Sequence, residues 1–246
     1  MLDKHSIVKT INLLSLAEID FLEYKKNPVR EITFEFSSFK TNSGIIIINV
    51  PGANGTIEGY KSKYYKIAKQ CQHRDQASYF CMNNITPMGI SPAKWMQLKF
   101  EFAMELVNSE ATSICASANP EIYVVGVSNG GGLVSTVASD YPQIKKVLLI
   151  APSLIMGKEQ TAQGARDYQG DLSIVVGEND DIVGVESSQF IYDNASTVKK
   201  KMQVLSKCDH QFKGKTNGLI FSKAPGWAFF GDDTFPDPVG GIKLYG

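Results

Sequence analysis

The stretch 121–138 constrains this chain more than any other: Glu-Ile-Tyr-Val-Val-Gly-Val-Ser-Asn-Gly-Gly-Gly-Leu-Val-Ser-Thr-Val-Ala. Ile122 to Val125 is a short, β-branched apolar run behind Pro120, which predicts a buried strand. Gly126-x-Ser128-x-Gly130 follows, and then an apolar segment of helical character. A serine at so tight a strand-to-helix turn sits in a strained backbone conformation, and side chains two residues to either side would collide. Its hydroxyl then stands clear of the sheet above a helix N-terminus, where free N–H groups and the positive dipole end suit developing negative charge. This is the pattern of a nucleophile elbow. Gly131 and Gly132 each cost a helix roughly 1 kcal/mol against alanine, so the helix start is expected to lie close against neighbouring strands. The rival reading, a phosphate-cradling loop, requires Gly-x-Gly-x-x-Gly or Gly-x-x-x-x-Gly-Lys-Ser/Thr, and the stretch holds neither.

Around this stretch, strand-like and helix-like segments alternate. Glu31 to Phe39 alternates apolar and polar, as a half-exposed strand does. Ile45 to Val50 is almost wholly apolar, as central parallel strands are. Ala77 to Met82, Lys146 to Ala151, Leu172 to Val176 and Met202 to Leu205 read as further strands. Thr56 to Lys69 reads as a helix, with Tyr60, Tyr64 and Tyr65 on an amphipathic face. Ser91-Pro92 reads as an N-cap with proline at the first helical position, followed by Trp95, Leu98, Phe102 and Leu106 on one face. Residues 11–21 are compatible with strand or helix. The segment from Ala224, with Trp227, Phe229, Phe230 and Phe235 among glycines and prolines, reads as a surface strap or a pocket wall. Such alternation predicts an α/β fold: a mostly parallel central sheet with helices on both faces, in a single domain over residues 1–246.

Composition narrows the function classes. Lys and Arg number 25 against 25 Asp and Glu, with no basic block, so nucleic-acid binding has no electrostatic footprint. Cys71, Cys81, Cys115 and Cys208 are scattered without metal-type spacing, and reduced thiols are expected. Neither a signal-peptide h-region nor an apolar span of about 20 residues is evident. The chain reads as soluble and cytoplasmic, with no membrane partner.

A serine hydroxyl needs a base within hydrogen-bond reach, and the base needs an orienting acid. In a parallel sheet these groups stand on loops past the C-terminal ends of strands. The strand Leu172 to Val176 ends in Gly177-Glu-Asn-Asp180-Asp-Ile-Val183, where Asp180 is the choice for the acid, ahead of Asp181 and Glu178. The strand Met202 to Leu205 leads to Cys208-Asp-His210-Gln-Phe212. Of the three histidines, His5 lies near the terminus and His73 precedes a strand, at the opposite sheet edge. His210 alone follows a strand end in the required order.

These features resemble the α/β-hydrolase superfamily over residues 45–212. Gly-Val-Ser-Asn-Gly-Gly resembles its elbow, and the order Ser128, Asp180, His210 is the superfamily's order. Its acid turn carries the acid three residues after a glycine, which supports Asp180 over Asp181. Asp209-His210-Gln-Phe212 resembles its histidine loop. Pro51-Gly52-Ala53-Asn54-Gly55 occupies the place of its oxyanion loop, with Pro-Gly where His-Gly often begins. By position the resemblance implies Ala53 N–H and Asn129 N–H as the oxyanion hole, with Asn54 as alternate for the first donor. It implies two-step acyl transfer without metal or organic cofactor. Residues 152–170, short and polar, argue against a large lid. Carboxylic esters or thioesters are the expected substrates. A peptidase, amidase or acyltransferase with the same trio, or a non-catalytic binding protein on this fold, are the alternatives.

Overall fold

The computed structural model describes residues 3–17, 25–73 and 75–238. Eight strands form one sheet in the order β1-β2-β4-β3-β5-β6-β7-β8. They are β1 (Asp3–Asn12), β2 (Val29–Phe39), β3 (Ile45–Val50), β4 (Ser78–Met82), β5 (Glu121–Val127), β6 (Ile144–Ile150), β7 (Asp171–Gly177) and β8 (Lys200–Leu205). Strands β3 to β8 run parallel, and β1–β2 and β2–β4 pair antiparallel. Seven of the eight were expected from the sequence, with ends within two residues of those observed. The antiparallel edge strand β1 was not: its side chains are mostly exposed, so no hydrophobic pattern announces it. Part of the ambiguous segment 11–21 belongs to β1 and a short 3-10 turn at Leu13–Ser15, and residues 18–21 lie outside the described residues.

The helices are α1 (Lys63–His73), α2 (Pro92–Ser109), α3 (Ala111–Cys115), α4 (Asn129–Val137), α5 (Lys158–Asp167), α6 (Gly184–Asn194) and α7 (Lys215–Phe230). They cover both faces. Ile46, Ile48, Val124, Leu149 and Ile174 share one core with residues of α2, α4, α5 and α6. Ile47, Val125, Leu148 and Val175 share the other with Tyr64 and Ile67 of α1 and Ile220, Phe221 and Phe229 of α7. Consecutive residues of one strand thus enter opposite cores, which is why the central strands read as unbroken apolar runs.

Three helical expectations change. α1 starts at Lys63 rather than Thr56, because Gly59, Lys61 and Ser62 all carry positive φ (70°, 50° and 57°), which α-helical backbone excludes. On α2, Ser91 precedes Pro92 without a side-chain capping bond. Its buried face is broader than the four expected residues: Met96, Phe100, Ala103 and Val107 are buried with Trp95 and Phe102, while Leu98 and Leu106 sit at the margin. The expected strap from Ala224 is the second half of α7, which accommodates Pro225; Trp227 stacks on Phe235 at 4.9 Å.

Between β6 and β7 the chain spans only residues 151–170, of which Lys158–Asp167 form α5. No large lid is inserted there. Among the described residues, no helix is long and apolar enough to cross a membrane.

Candidate active site

Chain order creates a crevice at one end of the sheet. From β3 the chain crosses to β4 on one side, then returns to place β5 on the other. The loops past β3 and β5 therefore diverge, and ligands favour such a point. Val50 pairs with Gly126 in register, so the Pro51-Gly52 loop and the Ser128 turn leave the sheet side by side.

Ser128 has φ 54° and ψ −119°. A non-glycine residue held there stores roughly 1–3 kcal/mol of strain. Its surroundings fix it. The Ser128 N–H donates to Ile150 O at 2.9 Å, and Ser128 O accepts from Gly132 N–H at 3.0 Å and Ser153 N–H at 3.1 Å. The glycine requirement is quantitative here. A Cβ on Gly126 would lie 2.8 Å from Gly130 O, and one on Gly130 only 2.2 Å from Val50 O. A Cβ on Gly132 would meet Ser153 O at 2.4 Å. The helix start does lie hard against the chain leaving β3 and β6, as the three consecutive glycines implied.

Ser128, Asp180 and His210 come together from three strand ends. Asp180 follows β7 and its carboxylate is fully enclosed. Its Oδ1 accepts from the Ile182 and Val183 N–H groups, both at 3.0 Å. Its Oδ2 lies 2.8 Å from His210 Nδ1. His210 Nε2 lies 3.0 Å from Ser128 Oγ. With Nδ1–H donating to the carboxylate, Nε2 presents a lone pair to the serine hydroxyl. That arrangement can draw a proton from Ser128 and hold the imidazolium that results. Glu178 instead accepts from Ser206 Oγ at 3.0 Å. His5 sits on β1 and stacks on Phe36 at 5.0 Å.

The loop after β3 passes directly beside the serine: a Cβ on Gly52 would be 3.0 Å from Ser128 Cβ. Buried Asn84 clamps this loop. Its Nδ2 donates to Pro51 O at 3.1 Å and Gly52 O at 2.9 Å, and its N–H donates to Gly55 O at 2.7 Å. The Gly52 N–H donates to the Tyr64 hydroxyl at 3.4 Å. Among the described residues, the Ala53 and Asn129 N–H groups have no internal acceptor. The Asn129 side chain is held by Ser153 Oγ, which donates to its Oδ1 at 2.8 Å. Asn84, Ser153 and Tyr64 as a support were not legible in sequence. Each acts across the fold on backbone or amide groups, and no local spacing encodes such a bond.

Cys208, two residues before His210, is buried, and burial pushes its thiol up to about 12; it is inert as a nucleophile. All four cysteines are buried. Among the described residues, no three His, Cys, Asp or Glu side chains gather as a metal site requires.

No protein-family model matches the chain. No curated protein matches it either. Solved structures do. A dienelactone hydrolase from Anabaena variabilis superposes with a TM-score of 0.67 at 11% identity, over 92% of this chain and 97% of that one. The esterase domain of a Rhodothermus marinus protein gives 0.61 at 14% identity, over 91% and 98%. A cold-adapted esterase from an Arctic intertidal metagenomic library gives 0.61 at 12%, over 85% and 87%. The strand order, the two helical layers and these likenesses agree: the chain has the α/β-hydrolase fold.

Proposed function

We propose that this protein is a serine hydrolase that cleaves a carboxylic ester or thioester through an acyl-enzyme. One observation carries the reading: the hydrogen-bonded chain Asp180–His210–Ser128, with contacts of 2.8 and 3.0 Å, at the end of a strained strand-to-helix turn. In this reading His210 Nε2 takes the Ser128 proton as Oγ attacks the carbonyl carbon. Asp180 fixes the imidazole tautomer and stabilises its charged form. The Ala53 and Asn129 N–H groups hold the oxyanion, each worth roughly 3 kcal/mol of barrier. The tetrahedral intermediate collapses, and the alcohol or thiol leaves with a proton from His210. Water, deprotonated by His210, then attacks the acyl carbon and releases the acid and the Ser128 hydroxyl. The similarity in fold to two esterases and a dienelactone hydrolase supports acyl-ester chemistry. The absent lid favours soluble substrates.

The test is a panel of p-nitrophenyl esters of graded acyl length, with Ser128→Ala as control. Turnover by the wild type and its loss in the variant is the expected result. Equal rates for the two proteins would refute the assignment.

A further inference from the structure

A basic pocket is lined in part by the segment that follows His210 in the chain. Its volume is about 320 Å³. Lys61, Lys63 and Lys66 line it from the α1 side, and Lys213 and Lys215 from the segment leading into α7, with Gln211 beside His210. No aspartate or glutamate lines it. The chain is charge-balanced, 25 against 25, so five lysines around one concavity is a local concentration that composition does not account for.

These cations are mostly uncompensated. Lys213 Nζ lies 3.5 Å from Asp209 Oδ2. Among the described residues, no carboxylate pairs with Lys61, Lys63, Lys66 or Lys215. Lys63 is half-buried, its Nζ 4.8 Å from the centre of the Phe221 ring and 5.5 Å from that of Tyr64. Burial, partly opposed by Asp209, lowers its ammonium to about 8. The ring faces and Asp209 offset only part of the cost of taking this ammonium out of water, and an anion in the pocket offsets more of it. The backbone points the same way. Lys61 and Ser62 are consecutive non-glycine residues with positive φ, a strained pairing of the kind that gathers at ligand clamps. The first turn of α7 adds free N–H groups beside Lys215, with no side-chain cap at Gly214 and no acidic residue. Lysine point charges beside a helix N-terminus suit phosphate oxygens.

We infer that this pocket binds a phosphate-bearing part of the substrate and so sets specificity at the Ser128–His210 site, whose His210 directly precedes the lining residue Gln211. Assigning the anion to the substrate rests on the hydrolase reading above; the anion site itself does not. Tyr64 ties the two regions together, since it follows Lys63 in sequence and accepts from the Gly52 N–H next to Ser128.

Isothermal titration with inorganic pyrophosphate tests the site without turnover. Wild type and Ser128→Ala should bind alike. Lys63→Met with Lys215→Gln should weaken binding at least tenfold, and Lys63→Arg should retain it. No binding, or equal binding by the double variant, overturns the site. Kinetics test the substrate half. The probes are acetyl-coenzyme A, whose thiol carries phosphates, and the uncharged acetyl thioester of N-acetylcysteamine. The wild type should prefer the first at least tenfold in kcat/KM, and that ratio should fall toward one in the double variant. Pyrophosphate binding with a ratio near one would overturn the substrate assignment. Lysine-dependent pyrophosphate binding with no hydrolysis of either thioester would refute the hydrolase reading, and with it the substrate assignment, while leaving the anion site standing.

Discussion

Replacing Asn84 by aspartate isolates one element of the site, because the two side chains have the same shape. What changes is chemistry: the Nδ2 donors that hold Pro51 O and Gly52 O at 3.1 and 2.9 Å become an oxygen facing two carbonyl oxygens. Gly52 O keeps its bond from Gly55 N–H, and Pro51 O is left without a side-chain partner. Losing two hydrogen bonds costs about 2 kcal/mol, and a buried orphan acceptor adds about 1 kcal/mol more, for roughly 3 kcal/mol in all. A buried carboxylate against carbonyl oxygens favours its protonated form, which restores one donor. Protonation recovers about 2 kcal/mol of the 3, one bond and the orphan acceptor, which corresponds to a rise of about 1.5 pKa units. A raised folded-state pKa confers stability that is complete below the unfolded value, near 4, and lost as pH rises through the folded value, about 5.5. The deficit of Asn84→Asp against wild type should therefore be about 1 kcal/mol at pH 4 and about 3 kcal/mol above pH 7. Because the clamped loop passes beside Ser128, ester turnover at pH 7.5 should fall about 10- to 100-fold, chiefly in kcat. Urea unfolding across pH 4–8 and p-nitrophenyl acetate kinetics read both effects. Full kcat at pH 7.5 alongside the expected stability loss would show that Asn84 supports the fold but not the chemistry.

Two further outcomes follow from named contacts. Ser128→Gly removes the side chain that makes φ 54° costly; after glycine's greater unfolded-state entropy is subtracted, it should stabilise the protein by about 1 kcal/mol while abolishing ester turnover, as thermal unfolding beside the ester assay will show. Burial lowers Lys99 from 10.5 to about 7, so its contribution to stability is complete above about pH 10.5 and falls as pH drops toward 7. Lys99→Met removes that linkage, and the stability difference between wild type and variant should move in favour of wild type by about 1.4 kcal/mol per pH unit between pH 7.5 and 9.5. A difference flat across that range would mean Lys99 is charged in the folded state.

The sequence was most readable where one physical cause dominates. Central strands bury both faces, so Ile45–Val50 and its neighbours stand out as apolar runs, and the glycines around Ser128 mark contacts too close for any Cβ. Legibility failed where causes compete. α7 carries buried Phe221, Ala224 and Phe229 with Trp227 and Phe230 also packed, so it shows little one-sided periodicity, and Pro225 and Gly226 read as breakers. The true start of α1 depends on backbone angles at Lys61 and Ser62 that neither residue type favours. The Asn84 clamp and the lysine pocket join segments far apart in the chain, and only the folded sheet brings them together.

Activation of Ser128 as a nucleophile is the property on which the proposed hydrolysis depends. A fluorophosphonate probe incubated with the native protein, followed by peptide mass spectrometry, reads this directly. The expected result is a single adduct on Ser128 that is lost in His210→Ala. An unlabelled Ser128, or labelling that persists undiminished without His210, would contradict it.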